Sequence, residues 1–128
     1  MAILGVGVDV VHLPRILALV QRRGAEALAS RILSPPEMQE WQAKRASDVS
    51  VQARFLAVRW SLKEAAYKAL YPADRPTWKE FAVSRLNHAK PVLVYTPKGV
   101  STAAQASFHC SVSHDGDYVF STVIAEQT

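Results

Sequence analysis

Two acidic side chains and one basic one are spaced so that they could hold a phosphate between them. Asp9 closes the apolar run Ala2 to Asp9, and Glu64 and Lys68 lie four residues apart in a segment of helical period. That spacing puts the last two on one helix face, with Trp60 one turn before them. A carboxylate ending an apolar strand needs water, a donor or a cation, because burying it unpaired is costly. If Asp9 meets Glu64, the two repel unless a divalent cation that prefers oxygen sits between them. Mg²⁺ takes one or two protein carboxylates and fills its shell with phosphate oxygens and water. Lys68 would face the same phosphates as a point charge, completing a diphosphate site. Each residue also has a plainer reading. Asp9 could cap the next turn; Glu64 and Lys68 could be a surface ion pair contributing about 0.2–0.5 kcal/mol. His114 could be a solvated turn residue, or a phosphate donor or proton carrier, since imidazole titrates near neutrality.

The elements that must position these residues follow from hydropathy period. Ala2 to Asp9 is rich in Ile, Leu and Val and reads as a strand, with Gly5 and Gly7 allowing another backbone to approach closely. After Pro14, the stripe Ile16, Leu17, Leu19, Val20, Ala27 and Leu28 predicts one helix with Arg15, Arg22 and Arg23 on its other face. Ser34-Pro35-Pro36-Glu37 reads as a capping box opening a short helix through Trp41. Phe55, Val58, Leu62, Ala65 and Ala69 predict a long buried helix over 51–70, stopped by Pro72, with Lys63 and Lys68 bracketing Glu64. Short strands are predicted at Phe81 to Leu86 and Val92 to Tyr95, joined by Asn87-His88-Ala89-Lys90-Pro91. A small helix over Val100 to Ala106 and strands at Phe108 to Ser113 and Tyr118 to Ala125 complete the chain, with His114-Asp115-Gly116-Asp117 as the hairpin turn. The sum is an α+β domain, residues 1–128, with helices packed on a small, mostly antiparallel sheet.

Composition removes several classes. With 128 residues, 49% hydrophobic and 20% charged, one ordinary core is expected rather than disorder or a repeat array. The single Cys110 cannot form an internal disulfide, which suits a reducing compartment. No apolar run approaches the roughly 20 residues of a membrane span, and no targeting segment is visible, so a cytoplasmic or mitochondrial-matrix home is expected. A net charge of +4 suits an anionic partner: nucleotide, nucleic acid or acidic protein. His12, His88 and His109 lack metal-ligand spacing with Cys110. Gly5-Val6-Gly7 is no dinucleotide fingerprint, and no Walker-type loop occurs. Trp41 and Trp78 read as core packing rather than as a stacking platform.

The segments GVGVDVVHLPRI (Gly5 to Ile16), RILSPPE (Arg31 to Glu37), RFLAVRWSLKEAAYKA (Arg54 to Ala69), Lys90-Pro91 and SVSHD (Ser111 to Asp115) together resemble the holo-acyl-carrier-protein synthase family. Order and spacing agree over nearly the whole chain. The resemblance implies a Mg²⁺-dependent transfer of 4′-phosphopantetheine from coenzyme A to a carrier-protein serine, supporting fatty acid biosynthesis and releasing adenosine 3′,5′-bisphosphate. It implies that Asp9 and Glu64 hold the metal and that Glu64, Lys68 and His114 are catalytic. Coenzyme A contacts are implied at Arg59, Lys63, Lys68, Lys90, Pro91 and His114, and docking of an acidic acyl carrier protein at Arg15, Leu19, Arg22 and Arg23. A homotrimer with sites between subunits is implied, with neither nucleic acid nor membrane as partner. Lys44, Arg45, Arg54 and Arg59 are candidates for the 3′-phosphate. The chain departs from the family where a Gly-rich turn usually follows the long helix: it has Tyr71-Pro72-Ala73-Asp74-Arg75-Pro76 instead.

Overall fold

The backbone is laid around one helix that is buried on nearly every side. In a computed structural model, which describes residues 2–85 and 90–128, the chain runs β1 (Ile3–His12), α1 (Leu13–Arg23), α2 (Ala25–Ile32), α3 (Met38–Lys44), α4 (Val49–Leu70), β2 (Phe81–Arg85), β3 (Pro91–Tyr95), β4 (Ser107–Asp115) and β5 (Tyr118–Glu126). Short 3-10 turns at Pro35–Glu37 and Trp78–Glu80 precede α3 and β2. Asp48 caps α4 by accepting from the Ser50 N–H at 3.3 Å, and the helix stops at Tyr71, before Pro72, as expected of a residue that cannot continue a helix. Its small residues Ala65, Ala66 and Ala69 are buried against the sheet.

The three-stranded sheet has the order β1-β5-β4, all antiparallel, and β2-β3 forms a separate antiparallel hairpin. The α+β expectation holds. The closest approach in the fold lies where β1 crosses α4. A Cβ at Gly7 would sit 1.7 Å from the Ala65 carbonyl oxygen, and one at Gly5 would sit 2.0 Å from that of Ala69. Only hydrogen fits at these two positions, so β1 lies directly on the helix backbone.

Several predicted boundaries shift. The first strand runs past Asp9 to His12, so Asp9 is within the strand rather than at its end. The single predicted helix after Pro14 is two helices, broken at Gly24, whose φ of 89° no L-residue adopts comfortably. Residues 100–106 form turns rather than a helix. The final hairpin turns at Gly116-Asp117, with Gly116 at φ 55°, so His114 belongs to β4 and not to the tip. Leu86, Asn87, His88 and Ala89 lie outside the described residues. The Ser34 box is as predicted: the Ser34 N–H and hydroxyl both donate to Glu37 Oε1 at 2.9 Å.

Candidate active site

Register places Asp9 opposite Ser121 of β5, on the sheet face that carries Gly7 and Val11 and packs on α4. From the helix, Ser61, Ala65 and Lys68 face it, at spacings of four and three. The Ser61 hydroxyl donates to the Asp9 carbonyl at 3.4 Å. Lys68 Nζ donates to the Val8 carbonyl at 2.9 Å and to Asp9 Oδ1 at 3.3 Å. Glu64 lies between Ser61 and Lys68 along the helix and is half-buried. Lys68 and Asp9 are in direct contact across β1 and α4, and helical spacing puts Glu64 one turn from Lys68.

The state of Asp9 is informative. Its side chain is only 14% exposed, and its Oδ2 is buried with no hydrogen-bond donor among the described residues. Burial raises its carboxyl above the ordinary value, against the opposing pull of Lys68, Ser61 and Arg15. Lys68, half exposed, donates to one oxygen, and the other, buried without a donor among the described residues, carries a deficit that a cation would relieve. Among the described residues no group of three or more His, Cys, Asp or Glu is placed to hold a metal ion. A carboxylate oxygen without a donor is a ligand of the kind Mg²⁺ takes singly, filling its shell with outside oxygens.

The Glu64 carboxylate is held from the far side. Trp78 Nε1 donates to Glu64 Oε1 at 2.9 Å, and the Trp78 ring lies 4.9 Å from that of Trp60. The Arg15 guanidinium stands 5.7 Å over Trp60, which links the basic face of α1 to the site. Trp78 packs against the buried core, as expected of it, and in addition donates this hydrogen bond to Glu64.

The other expected residues divide. Arg15, Arg22 and Arg23 are exposed on α1 with Leu19 half-buried beside them, opposite the buried Ile16 and Val20. Of the expected coenzyme A contacts, Lys63 has a fully buried side chain, its ammonium bonded to Glu37 and to the Ile32 carbonyl at 2.8 Å. Arg59 is buried too, 3.0 Å from Glu40 and 3.6 Å over the Phe55 ring. Both hold α4 to the Ser34–Glu37 turn. Of the 3′-phosphate candidates, Arg45 is paired with Glu26, Lys44 is half-buried and Arg54 is exposed. Lys90 is exposed and Pro91 opens β3, where its carbonyl accepts from Cys110 Sγ at 3.3 Å. His114 is exposed at the end of β4. Val112, two residues before it, shares Ser121 with Asp9, which puts β4 two strand spacings, roughly 10 Å, from β1. One chain does not bring His114 to the acids. A cavity of about 790 Å³ opens between Pro35-Pro36 and Phe81-Ala82, but none of Asp9, Glu64 and Lys68 lines it.

Known proteins share this sequence pattern and fold. The holo-[acyl-carrier-protein] synthase of Edwardsiella ictaluri is 38% identical over 131 residues, covering 98% of this chain and 99% of that protein. The crystal structure of the Neisseria meningitidis synthase superposes with a TM-score of 0.78 at 30% identity, covering 98% of this chain and all of the other. A Bacillus anthracis synthase, solved in complex with CoA (3′,5′-ADP), superposes with a TM-score of 0.77 at 25% identity and 98% coverage of both. The family model that describes the 4′-phosphopantetheinyl transferase superfamily matches residues 5–123, and the chain belongs to that family.

Proposed function

We propose that this transferase moves the 4′-phosphopantetheine arm of coenzyme A onto a serine of an apo acyl carrier protein, with Mg²⁺ held by Asp9 and Glu64, in support of fatty acid biosynthesis. The observation that carries the reading is Asp9 Oδ2, buried beside Lys68 with no donor among the described residues. A cation bound there would neutralise the diphosphate of the donor. The Bacillus anthracis relative's complex with CoA supports that donor.

In the reaction the serine oxygen bonds to the pantetheine-side phosphorus, and the bridging P–O bond breaks. Adenosine 3′,5′-bisphosphate leaves with that bond's electron pair. The serine proton passes to a carboxylate or water at the site. Lys68 presents a fixed positive charge to the anionic oxygens, and its half-exposed ammonium has one N–H left for them beyond those given to Val8 and Asp9. Catalysis rests on positioning and charge stabilisation rather than on protein covalent chemistry. The basic ridge Arg15, Leu19, Arg22 and Arg23 docks the acidic carrier, with Arg15 reaching from that ridge to Trp60 beside Glu64.

The active form is a homotrimer. The sheet face turned away from α4 carries Val6, Val10 and Phe120 at 56%, 59% and 45% exposure, an apolar strip that water covers poorly and two further copies would cover. Assembly also supplies His114 from a neighbouring copy. Sedimentation that finds only monomer at micromolar concentration would overturn the assembly.

The decisive test incubates the protein with coenzyme A, Mg²⁺ and an apo carrier protein and weighs the carrier. A gain of one phosphopantetheine, abolished by a chelator and by Asp9→Ala, is expected. An unchanged carrier mass with the intact protein refutes the transfer.

A further inference from the structure

The 3-10 turn Trp78–Glu80 is anchored on both flanks. The Thr77 N–H donates to Glu80 Oε2 at 2.9 Å, the Lys98 N–H to Glu80 Oε1 at 3.2 Å, and the Thr96 N–H to the Glu80 carbonyl at 2.8 Å. Lys79 ties the same turn to the end of α2 through the Ser30 carbonyl and, at 2.7 Å, the Leu33 carbonyl. What this anchoring serves is the indole of Trp78, clamped against Trp60 with its N–H aimed at Glu64 Oε1. Indole nitrogen donates and cannot accept, so the contact admits one polarity. It takes up one carboxylate oxygen of Glu64. An exposed glutamate on a helix samples several rotamers, whereas this one is tied at its tip.

We infer that Trp78 is a positioning residue for the cation site: its indole N–H fixes the Glu64 carboxylate so that a single oxygen is offered to a hard divalent ion. The inference rests on the reading of Glu64 as a cation ligand. Outer-shell donors of this kind orient the ligand, and their loss typically weakens metal binding about 10–100-fold. A single offered oxygen also suits Mg²⁺, which keeps near-octahedral geometry, more than Ca²⁺, which accepts both oxygens of a carboxylate.

Trp78→Phe keeps a six-membered ring against Trp60 and deletes the N–H together with the five-membered ring that carries it. Mn²⁺ binding, read directly by electron paramagnetic resonance without substrate, should weaken by about 10–100-fold. The Mg²⁺ concentration for half-maximal turnover should rise in parallel, while KM for coenzyme A at saturating Mg²⁺ and the melting temperature stay near the parent's. A purely packing role would move the melting temperature and not the metal dependence. Glu64→Ala is measured beside it. If Glu64→Ala loses the cation and Trp78→Phe binds it like the parent, the inference fails and the proposed function stands. If Glu64→Ala binds the cation normally, the ligand assignment itself fails. Should Trp78→Phe not fold, the parent protein labelled with ¹⁵N in its three indoles gives the answer. One indole resonance should shift as Mg²⁺ saturates, and shift no longer in Glu64→Ala; three unmoved resonances overturn the inference.

Discussion

Replacing Gly7 with alanine tests whether contact between β1 and α4 is what builds the site. The added Cβ would lie 1.7 Å from the Ala65 carbonyl oxygen, 2.7 Å from the Ala65 carbonyl carbon and 2.8 Å from the Ala69 nitrogen. All three are backbone atoms, so no side-chain rotation relieves the clash. Ordinary contact begins near 3.4 Å, so strand and helix must part by up to about 1.7 Å at this point. Overpacking of a well-filled core costs about 1–3 kcal/mol, and a rigid backbone neighbour places this case at the upper end. The same displacement carries Asp9, two residues along the strand, away from Glu64 and Lys68, and a misplacement near 1 Å can cost about 100-fold in rate. Denaturant unfolding should show a loss of about 3 kcal/mol or failure to fold, and carrier modification should fall at least 100-fold in any protein that survives. Gly99→Ala is the control, since nothing lies within 4 Å of its added Cβ. A Gly7→Ala protein with normal stability and normal Mg²⁺-dependent turnover would refute the argument.

Other outcomes follow from the same geometry. Lys63→Ala leaves Glu37 charged and buried without its ammonium, so chemical denaturation should show a loss of about 3–5 kcal/mol; a stable variant would show the pair to be dispensable. Lys68→Ala removes a half-exposed ion pair contributing about 0–1 kcal/mol, so it should fold normally. Its kcat/KM should nonetheless fall about 100-fold, near 3 kcal/mol at the transition state, and unimpaired turnover would remove Lys68 from the mechanism. Burial raises the Asp9 carboxyl in the folded protein, so its proton stabilises the fold below the unfolded value, and that contribution is lost as pH rises through the folded one. Thermal melts without metal should therefore decline with pH more steeply for the parent than for Asp9→Asn, and added Mg²⁺ should raise the parent's melting temperature more at pH 7.5 than at pH 5. Equal slopes for the two proteins would contradict the assigned state of Asp9.

Sequence carried most of the architecture because its strongest signals are periodic. The spacing of Phe55, Leu62, Ala65 and Ala69 located α4 within two residues of its start, and Gly5 and Gly7 announced a close backbone crossing that the structure contains. Helical spacing likewise puts Glu64 and Lys68 on one face, and the structure pairs Lys68 with Asp9. What failed was set by tertiary contact. The apolar stripe of α1 continues into α2, but Gly24 turns the chain between them. Lys63 is indistinguishable from Lys68 by type, and only the buried Glu37 opposite it decides that one lysine holds the core while the other meets solvent. Trp78 has no helical period to place it. Its hydrogen bond to Glu64 spans fourteen residues.

The strand that carries Asp9 has one ladder partner among the described residues, and that partner is the last strand: Ile3 pairs with Glu126 and His12 with Tyr118. The acidic half of the clasp therefore cannot settle on a nascent chain while the final strand is still inside the ribosome. Until then β1 is an unpaired ribbon with valines on one side and glycines on the other, open to any extended segment it meets. Pairings of such long sequence separation form slowly. Shortening the carboxyl end by even half a strand should remove catalytic competence, although its loss deletes none of the residues that touch phosphate.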